Sequence, residues 1–179
     1  DGPNIDWGGG WDIRLTGWPG HLNVIHLPAQ RPVLSHKMPL IGVWSLAFVF
    51  PFDGTHHYIY SPIPYWTQTF AIVASMMLII PVWTVLQNFY GTFVGNWKRF
   101  QESYTAKFLI VGAFYYLLGC FQGSTEALRG MQRLTHFTDF VIAHSHLTVF
   151  GTFILWVTAG MYYVIPRVSG HELYSKTLA

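Results

Sequence analysis

The sequence predicts an all-α fold, a polytopic transmembrane helix bundle with about four spans. Hydrophobic residues make up 51% of the chain and charged residues only 10%, against about 25% charged in an ordinary soluble domain. Asp53 is the only formal charge between Lys37 and Lys98, and none occurs from Phe140 to Pro166. Several apolar stretches reach the roughly 20 residues that a spanning helix needs. Each is apolar all round rather than striped, as lipid requires.

The chain divides into three predicted parts. Residues 1–36, rich in Gly, Pro and Trp, are an irregular segment or the remnant of an earlier helix. Residues 37–170 form the transmembrane core, and residues 171–179 form a cytoplasmic tail. The core contains four apolar segments, over about 38–54, 65–93, 104–122 and 137–166. Prolines within them should start, end or kink helices.

Basic residues predict the orientation of these spans. Seven fall on one side of the predicted membrane and two on the other. The larger set should be cytoplasmic, because short cytoplasmic loops carry an excess of Lys and Arg. That set is Arg31, Lys37, Lys98, Arg99, Lys107, Arg167 and Lys176, and the outer pair is Arg129 and Arg133.

Charge and cysteine content exclude several classes of protein. The net charge of +2 comes from scattered residues, so nothing suggests a nucleic-acid partner. Cys120 is the only cysteine, which excludes an internal disulfide. The sequence shows no basic n-region followed by a cleavable apolar segment, so no targeting segment is visible.

Two histidines lie in the apolar stretch "DFVIAHSHLTVFGTF". On an α-helix His144 and His146 point about 200° apart and cannot bind one metal together. They can bind two different partners on two sides of one helix. An imidazole is the usual axial ligand of haem iron, so two haems flanking a helix would use this spacing. The alternative is that one histidine hydrogen-bonds a neighbouring helix while the other lines a cavity.

A second histidine pair follows the first predicted span. In a helix His56 and His57 are about 100° apart and can converge on one small metal. Copper and iron both accept imidazole ligands. The alternative is a loop pair hydrogen-bonded to water at the membrane surface. Both pairs are predicted at similar depth near the outer side.

Three stretches carry a resemblance to a known family: "GTHHYIYSPIPYWTQTFAIVASMMLIIPVW", "FLIVGAFYYLLGCFQG" and "HFTDFVIAHSHLTVFGTFILWVTAGMYYVIPRVSG". With the spacing between them they resemble the central subunit of the haem–copper oxidase superfamily. Within it the sequence is most similar to the C family, the cbb-type cytochrome c oxidases and their nitric oxide reductase relatives. The match covers roughly residues 32–170 and corresponds to the C-terminal half of a twelve-helix subunit.

The resemblance implies a set of metal ligands. His56 and His57 correspond to two ligands of the second metal, which is copper in oxidases. His144 corresponds to the proximal ligand of the high-spin haem and His146 to one axial ligand of the low-spin haem, both haems being b-type. His21 is the candidate for a third copper ligand, although too few residues separate it from the next span. The other low-spin ligand belongs to an early helix without a counterpart here.

Other positions match the family less specifically. His136 and Asp139 lie where the family places polar groups near haem propionates, and Arg129 could pair with a propionate. The alternatives are an ordinary helix N-terminus with a favourable acid and a surface arginine. Ser75 and Tyr116 match the family's proton path, although a lone Ser or Tyr in a span is more often a packing residue.

The resemblance leaves two substrates open. Cbb-type oxidases have a tyrosine, bonded to a copper-ligating histidine, at the position of Phe50, whereas nitric oxide reductases lack it. In the reductases iron replaces copper with support from a glutamate, a role for which Glu126 is the candidate, and Asp53 is a second acid near the His56 pair. The longer pattern favours the oxidase branch. It implies dioxygen reduction to water coupled to proton uptake, with a c-type cytochrome subunit as partner, in a bacterial or archaeal cytoplasmic membrane.

Two further classes of function compete with this interpretation. A haem-free transporter or structural membrane subunit would use the histidines to line a polar path. A bis-histidine electron-transfer cytochrome would bind haem without a second metal. Metal and haem content separate all of these classes.

Overall fold

A computed structural model describes residues 34–35, 37–95 and 97–171, which are helical apart from short connections and contain no strand. The α-helices are α1 (Lys37–Asp53), α2 (Tyr65–Met77), α3 (Ile79–Phe93), α4 (Trp97–Glu102), α5 (Tyr104–Glu126), α6 (Arg129–Thr135), α7 (Asp139–His146) and α8 (Leu155–Ser169). A 3₁₀-helix at Gly54–Tyr58 follows α1, and a π-helix at Leu147–Ile154 joins α7 to α8.

Four helical stretches are long and apolar enough to cross a membrane, which confirms the predicted fold class. We call them span 1 (Lys37–Tyr58), span 2 (Tyr65–Phe93), span 3 (Tyr104–Glu126) and span 4 (Asp139–Ser169). Span 3 continues four residues past its predicted end at 122, through residues 123–126, which lie outside the apolar segment. The predictions for residues 1–33 and 172–179 lie outside the described residues.

Proline and glycine set the breaks within these helices. Span 2 is interrupted at Leu78, between α2 and α3. Pro81 explains the interruption, because it has no N–H to donate to a carbonyl one turn earlier. Span 4 ends at Ser169 and is followed by Gly170, whose φ of +70° suits the left-handed conformation that follows a helix. Its N–H donates to the Pro166 carbonyl at 3.0 Å.

The spans pack in chain order, span 1 on span 2, span 2 on span 3 and span 3 on span 4. The buried apolar core lies among spans 2, 3 and 4. Gly112 of span 3 permits the close approach of the Trp156 indole from span 4. That indole N–H donates to the Leu109 carbonyl at 3.1 Å. Small residues and buried side-chain hydrogen bonds hold membrane helices together in this way.

Much of the apolar surface of the described residues remains exposed. Only 11% of the apolar window of span 4 is buried. Phe150 is 56% exposed and Met161 is 54% exposed. Such side chains are expected where lipid or further helices cover them.

Candidate haem and metal site

The adjacent imidazoles of His56 and His57 lie at the C-terminal end of span 1. The 3₁₀-helix there begins at Gly54, and the Thr55 hydroxyl stabilises its first turn by donating to the Phe52 carbonyl at 2.7 Å. The ring centroids are 4.0 Å apart with an interplanar angle of 37°. His56 is 6% exposed, and His57 is half-buried. Two rings placed side by side can reach one small ion.

His56 is held from two directions. Its Nδ1 lies 2.9 Å from the hydroxyl of Ser75 on span 2. Its backbone carbonyl accepts a hydrogen bond from Gln132 Nε2 at 3.4 Å. The buried Gln132 also accepts, through Oε1, a hydrogen bond of 3.1 Å from His136 Nδ1. Contacts from span 2 and from α6 therefore fix the position of His56.

Glu126, the last residue of span 3, lies near this pair. Its side chain is fully buried, and neither carboxylate oxygen has a hydrogen-bond partner among the described residues. It is close enough to His56 for the two to interact electrostatically. Within the described ranges, however, no three His, Cys, Asp or Glu side chains converge as a group that could hold a metal ion. Glu126 therefore does not complete a three-ligand set with His56 and His57.

His144 and His146 lie on different faces of α7. His144 is half-buried against span 3, and its Nδ1–H donates to Gln122 Oε1 at 3.3 Å. The ring also lies against Gly123, where an added Cβ would be 3.1 Å from His144 Cε1 and Nε2. His146 is exposed, donates from Nδ1–H to the Ile142 carbonyl at 2.8 Å, and stacks on Phe150 at 5.5 Å. The two imidazoles thus face different partners.

One cavity between spans 1, 2, 3 and 4 connects several predicted residues. Its volume is about 50 Å³, which exceeds the roughly 10–15 Å³ that a buried water needs. His144 and Thr148 line it from span 4, Tyr116 from span 3 and Ser75 from span 2. Because Ser75 also bonds His56, its hydroxyl lies between the cavity and the His56 ring. The structure thus brings Ser75, Tyr116 and His144 to one space.

A π-helix begins directly after His146, at Leu147, and continues to Ile154. Such segments occur frequently at functional sites. Gly151 within it packs on Tyr115, where an added Cβ would lie 2.8 Å from the ring. Thr152 is buried, and its hydroxyl has no partner among the described residues.

The residues predicted near haem propionates occupy separate places. Arg129 stacks on Tyr65 at 4.2 Å and donates from Nη2 to Thr69 Oγ1 at 2.7 Å. Asp139 is exposed in the first turn of α7, whose N-terminus is capped by the Thr138 hydroxyl. His136 donates a hydrogen bond from its Nδ1–H to Gln132 Oε1. Arg129 therefore links the α6 end of the bundle to span 2.

Several predictions lie outside what the structure describes. His21 is outside the described residues, and so are the side chains of Phe50 and Asp53. The sequence analysis missed Gln122 and Gln132. Gln122 accepts a hydrogen bond from His144, and Gln132 accepts one from His136. Their only signal was an amide in an apolar or buried segment. The residues around Gln122 do not predict its hydrogen bond with His144, which lies 22 positions later on a different span.

The ring nitrogens of His144 and His146 fit haem ligation, and the adjacent imidazoles of His56 and His57 offer two of the ligands that copper accepts. A neutral imidazole has one N–H and one nitrogen with a lone pair, and the lone pair binds the metal. For His144 and His146 the acceptors are an amide oxygen and a backbone carbonyl, so the proton lies on Nδ1 and Nε2 carries the lone pair. Such a second hydrogen bond is the usual support of a ligating histidine.

Fold and site together define a class of protein, a membrane-embedded helical subunit with imidazoles presented on both faces of one span and a second pair beside it. The family model described as Cytochrome C and Quinol oxidase polypeptide I matches residues 22–179. The chain belongs to that family, the core subunit of the haem–copper oxidases. The predicted superfamily is therefore confirmed, and the four apolar helices make the chain an integral membrane protein.

Named relatives have similar sequences. The Cbb3-type cytochrome c oxidase subunit CcoN1 of Stutzerimonas stutzeri is 31% identical over 80% of this chain and 30% of its own length. Cytochrome c oxidase subunit 1 of Rhodobacter capsulatus is 32% identical over 84% of the chain and 28% of its own length. The bacteroid subunit 1 homolog of Bradyrhizobium diazoefficiens is 29% identical over 97% and 35%. The chain thus spans about a third of these curated relatives.

Proposed function

We propose that this chain is part of the core subunit of a cbb-type respiratory oxidase that reduces dioxygen to water. The observation that carries the proposal is that one cavity is lined both by His144 and by Ser75, the residue whose hydroxyl contacts His56. The cavity thus lies between the two proposed ligand groups, and substrate would bind between the metals that they hold. Family membership and the cbb3-type relative support the oxidase assignment.

Each histidine has a proposed role. His56 and His57 hold the second metal, copper, with a third ligand that the described residues do not supply. His144 holds a high-spin b-type haem and His146 a low-spin b-type haem, on opposite faces of α7. When bound, haem and copper supply the electron transfer and the oxygen chemistry. The chain supplies ligation, orientation and exclusion of bulk water.

Other side chains act around these ligands. Gln122 accepts from His144 Nδ1–H and keeps Nε2 as the ligating atom. Ser75 and Tyr116 give the cavity a polar wall on the proposed proton path from the cytoplasmic side. His136, Asp139 and Arg129 are proposed to meet haem propionates at the outer side, although Arg129 also contacts Thr69 and Tyr65.

The proposed setting is a respiratory complex in a bacterial or archaeal cytoplasmic membrane. A c-type cytochrome subunit would deliver electrons, and the lipid bilayer or neighbouring helices would cover the exposed faces of the spans. The cbb3-type name of one relative supports this partner class. The exposed surface of span 4 supports cover by lipid or protein.

Nitric oxide reduction is the second candidate function. The buried Glu126 beside His56 favours it, because a carboxylate suits a hard metal such as iron better than copper. The residue at the family's tyrosine position, Phe50, has no hydroxyl and also favours it. Reduction of two NO molecules to nitrous oxide and water takes two electrons and two protons, whereas dioxygen reduction takes four of each.

Metal content and turnover of the intact membrane complex test the proposal. Copper together with dioxygen consumption is the expected result. Non-haem iron with nitrous oxide release would contradict the oxidase assignment and support the reductase. Haem without a second metal would indicate an electron-transfer cytochrome. The absence of a Soret band would indicate a transporter or structural subunit.

A further inference from the structure

The hydroxyl of Ser75 makes two hydrogen bonds at the same time. Its Oγ donates to the Ala71 carbonyl, one helical turn earlier, at 2.8 Å. The same Oγ lies 2.9 Å from His56 Nδ1. Both side chains are almost completely buried, Ser75 at 1% and His56 at 6% exposure. Water therefore has little access to this contact in the described structure.

The single proton of the Ser75 hydroxyl decides which partner donates in its hydrogen bond with His56. A serine hydroxyl has one proton and two acceptor lone pairs, whereas a backbone carbonyl can only accept. Because Ser75 gives its proton to Ala71, it accepts the hydrogen bond from His56 Nδ1–H. The lone pair of His56 then lies on Nε2. The helix backbone of span 2 thus selects the tautomer of an imidazole on span 1.

We propose that Ser75 is a positioning residue for the second metal, acting through His56. This inference rests on the proposed function, because it assigns Ser75 a task at the same site. Ser75 holds Nδ1, sets the rotation of the ring, and leaves Nε2 as the ligating atom. The support comes from span 2, whereas His56 lies in the short 3₁₀-helix that ends span 1.

This role differs from that of a proton relay. A relay must release one proton and accept another, and the Ser75 proton is held by the Ala71 carbonyl. Ser75 therefore contributes to the cavity wall as an acceptor fixed in orientation. Its removal should affect how tightly the second metal is held before it affects proton delivery.

Retention of the second metal in the intact, purified complex tests this role. The variants are Ser75→Ala, which removes the acceptor, and Ser75→Thr, which keeps the hydroxyl. Thr84→Ala is the matched control, because the Thr84 hydroxyl on the same span donates to the Pro81 carbonyl at 2.8 Å and has no other hydrogen bond among the described residues. Each complex is titrated with a copper or iron chelator, and retained metal is measured. The infrared stretch of carbon monoxide transferred from haem to the second metal reports its ligand geometry.

Ser75→Ala should lose the second metal at about tenfold lower chelator concentration, because removing a residue that supports a metal ligand usually costs about 10–100-fold in metal affinity. The carbon monoxide stretch of this variant should shift as well. Ser75→Thr should restore wild-type values, and Thr84→Ala should match them. If Ser75→Ala does not assemble, Ser75→Cys, a weaker acceptor of similar size, should give an intermediate loss. Wild-type retention and stretch in an alanine or cysteine variant, with only turnover lowered, would overturn the positioning role. A wild-type complex without a second metal would instead overturn the proposed function.

Discussion

Replacing Gly112 by alanine should loosen the packing of span 3 against span 4. A Cβ at residue 112 would lie 2.6 Å from Cδ1 and Nε1 of Trp156, whereas ordinary van der Waals contact begins near 3.4 Å. The indole must therefore move by about 0.8 Å, the difference between these distances. A shift of that size disrupts the hydrogen bond of 3.1 Å from Trp156 to the Leu109 carbonyl.

The size of the effect follows from these two losses. Overpacking a well-packed interior costs about 1–3 kcal/mol, and a buried hydrogen bond contributes about 0.5–1.5 kcal/mol. We therefore expect Gly112→Ala to lower the free energy of unfolding by roughly 2–4 kcal/mol. Because the same interface holds His144 against Gln122, haem retention should fall as well.

Thermal unfolding of the detergent-solubilised complex, followed by loss of the haem absorption, measures this effect. Gly160→Ala is the matched control, because a Cβ at that helical glycine meets nothing within 4 Å. The control should be neutral or slightly stabilising, since alanine favours a helix by up to about 1 kcal/mol over glycine. Equal stability of the Gly112 and Gly160 variants would refute the packing argument.

Three further predictions concern the site. Gln122→Leu removes the acceptor of His144 Nδ1–H, so the affinity for the high-spin haem should fall about 10–100-fold. Competition with a haem-binding apoprotein measures this affinity, and an unchanged value would show that Gln122 does not support His144. Tyr116→Phe should slow proton uptake during turnover while haem and metal content stay at wild-type levels; an unchanged rate of uptake, followed with a pH indicator, would remove Tyr116 from the proton path. Removing the second metal by chelation should abolish substrate reduction, whereas stopped-flow spectra should still show reduction of the low-spin haem by an added donor. Turnover that persists without the second metal would show that this metal is not needed for substrate reduction.

The spans were predictable because their signal is local. Each apolar stretch carries its own length and composition, and the predicted segment at 65–93 has the bounds of span 2. The π-helix at Leu147–Ile154 was not predictable, since its residues form an ordinary apolar run. Its geometry accompanies a contact between Gly151 and Tyr115 of a different span. The composition of residues 147–154 alone does not predict a contact with Tyr115.

The site divides in the same way. The histidine pairs were singled out by their spacing, because the angle between successive helical residues is fixed, and their predicted ligand roles came from the family resemblance. The support of those histidines was not found. Ser75 follows His56 by 19 positions, and Gln122 precedes His144 by 22. Sequence reasoning placed Ser75 on a proton path, whereas its hydrogen bonds also tie it to a predicted ligand.

Optical spectra of the His144→Ala and His146→Ala complexes, reduced and then exposed to carbon monoxide, test the proposal that these two histidines hold different haems on opposite faces of one helix. His146→Ala should lose the low-spin bands and keep a haem that binds carbon monoxide. His144→Ala should lose carbon monoxide binding and keep the low-spin bands. Loss of the same bands in both variants, or of none in either, would contradict the account.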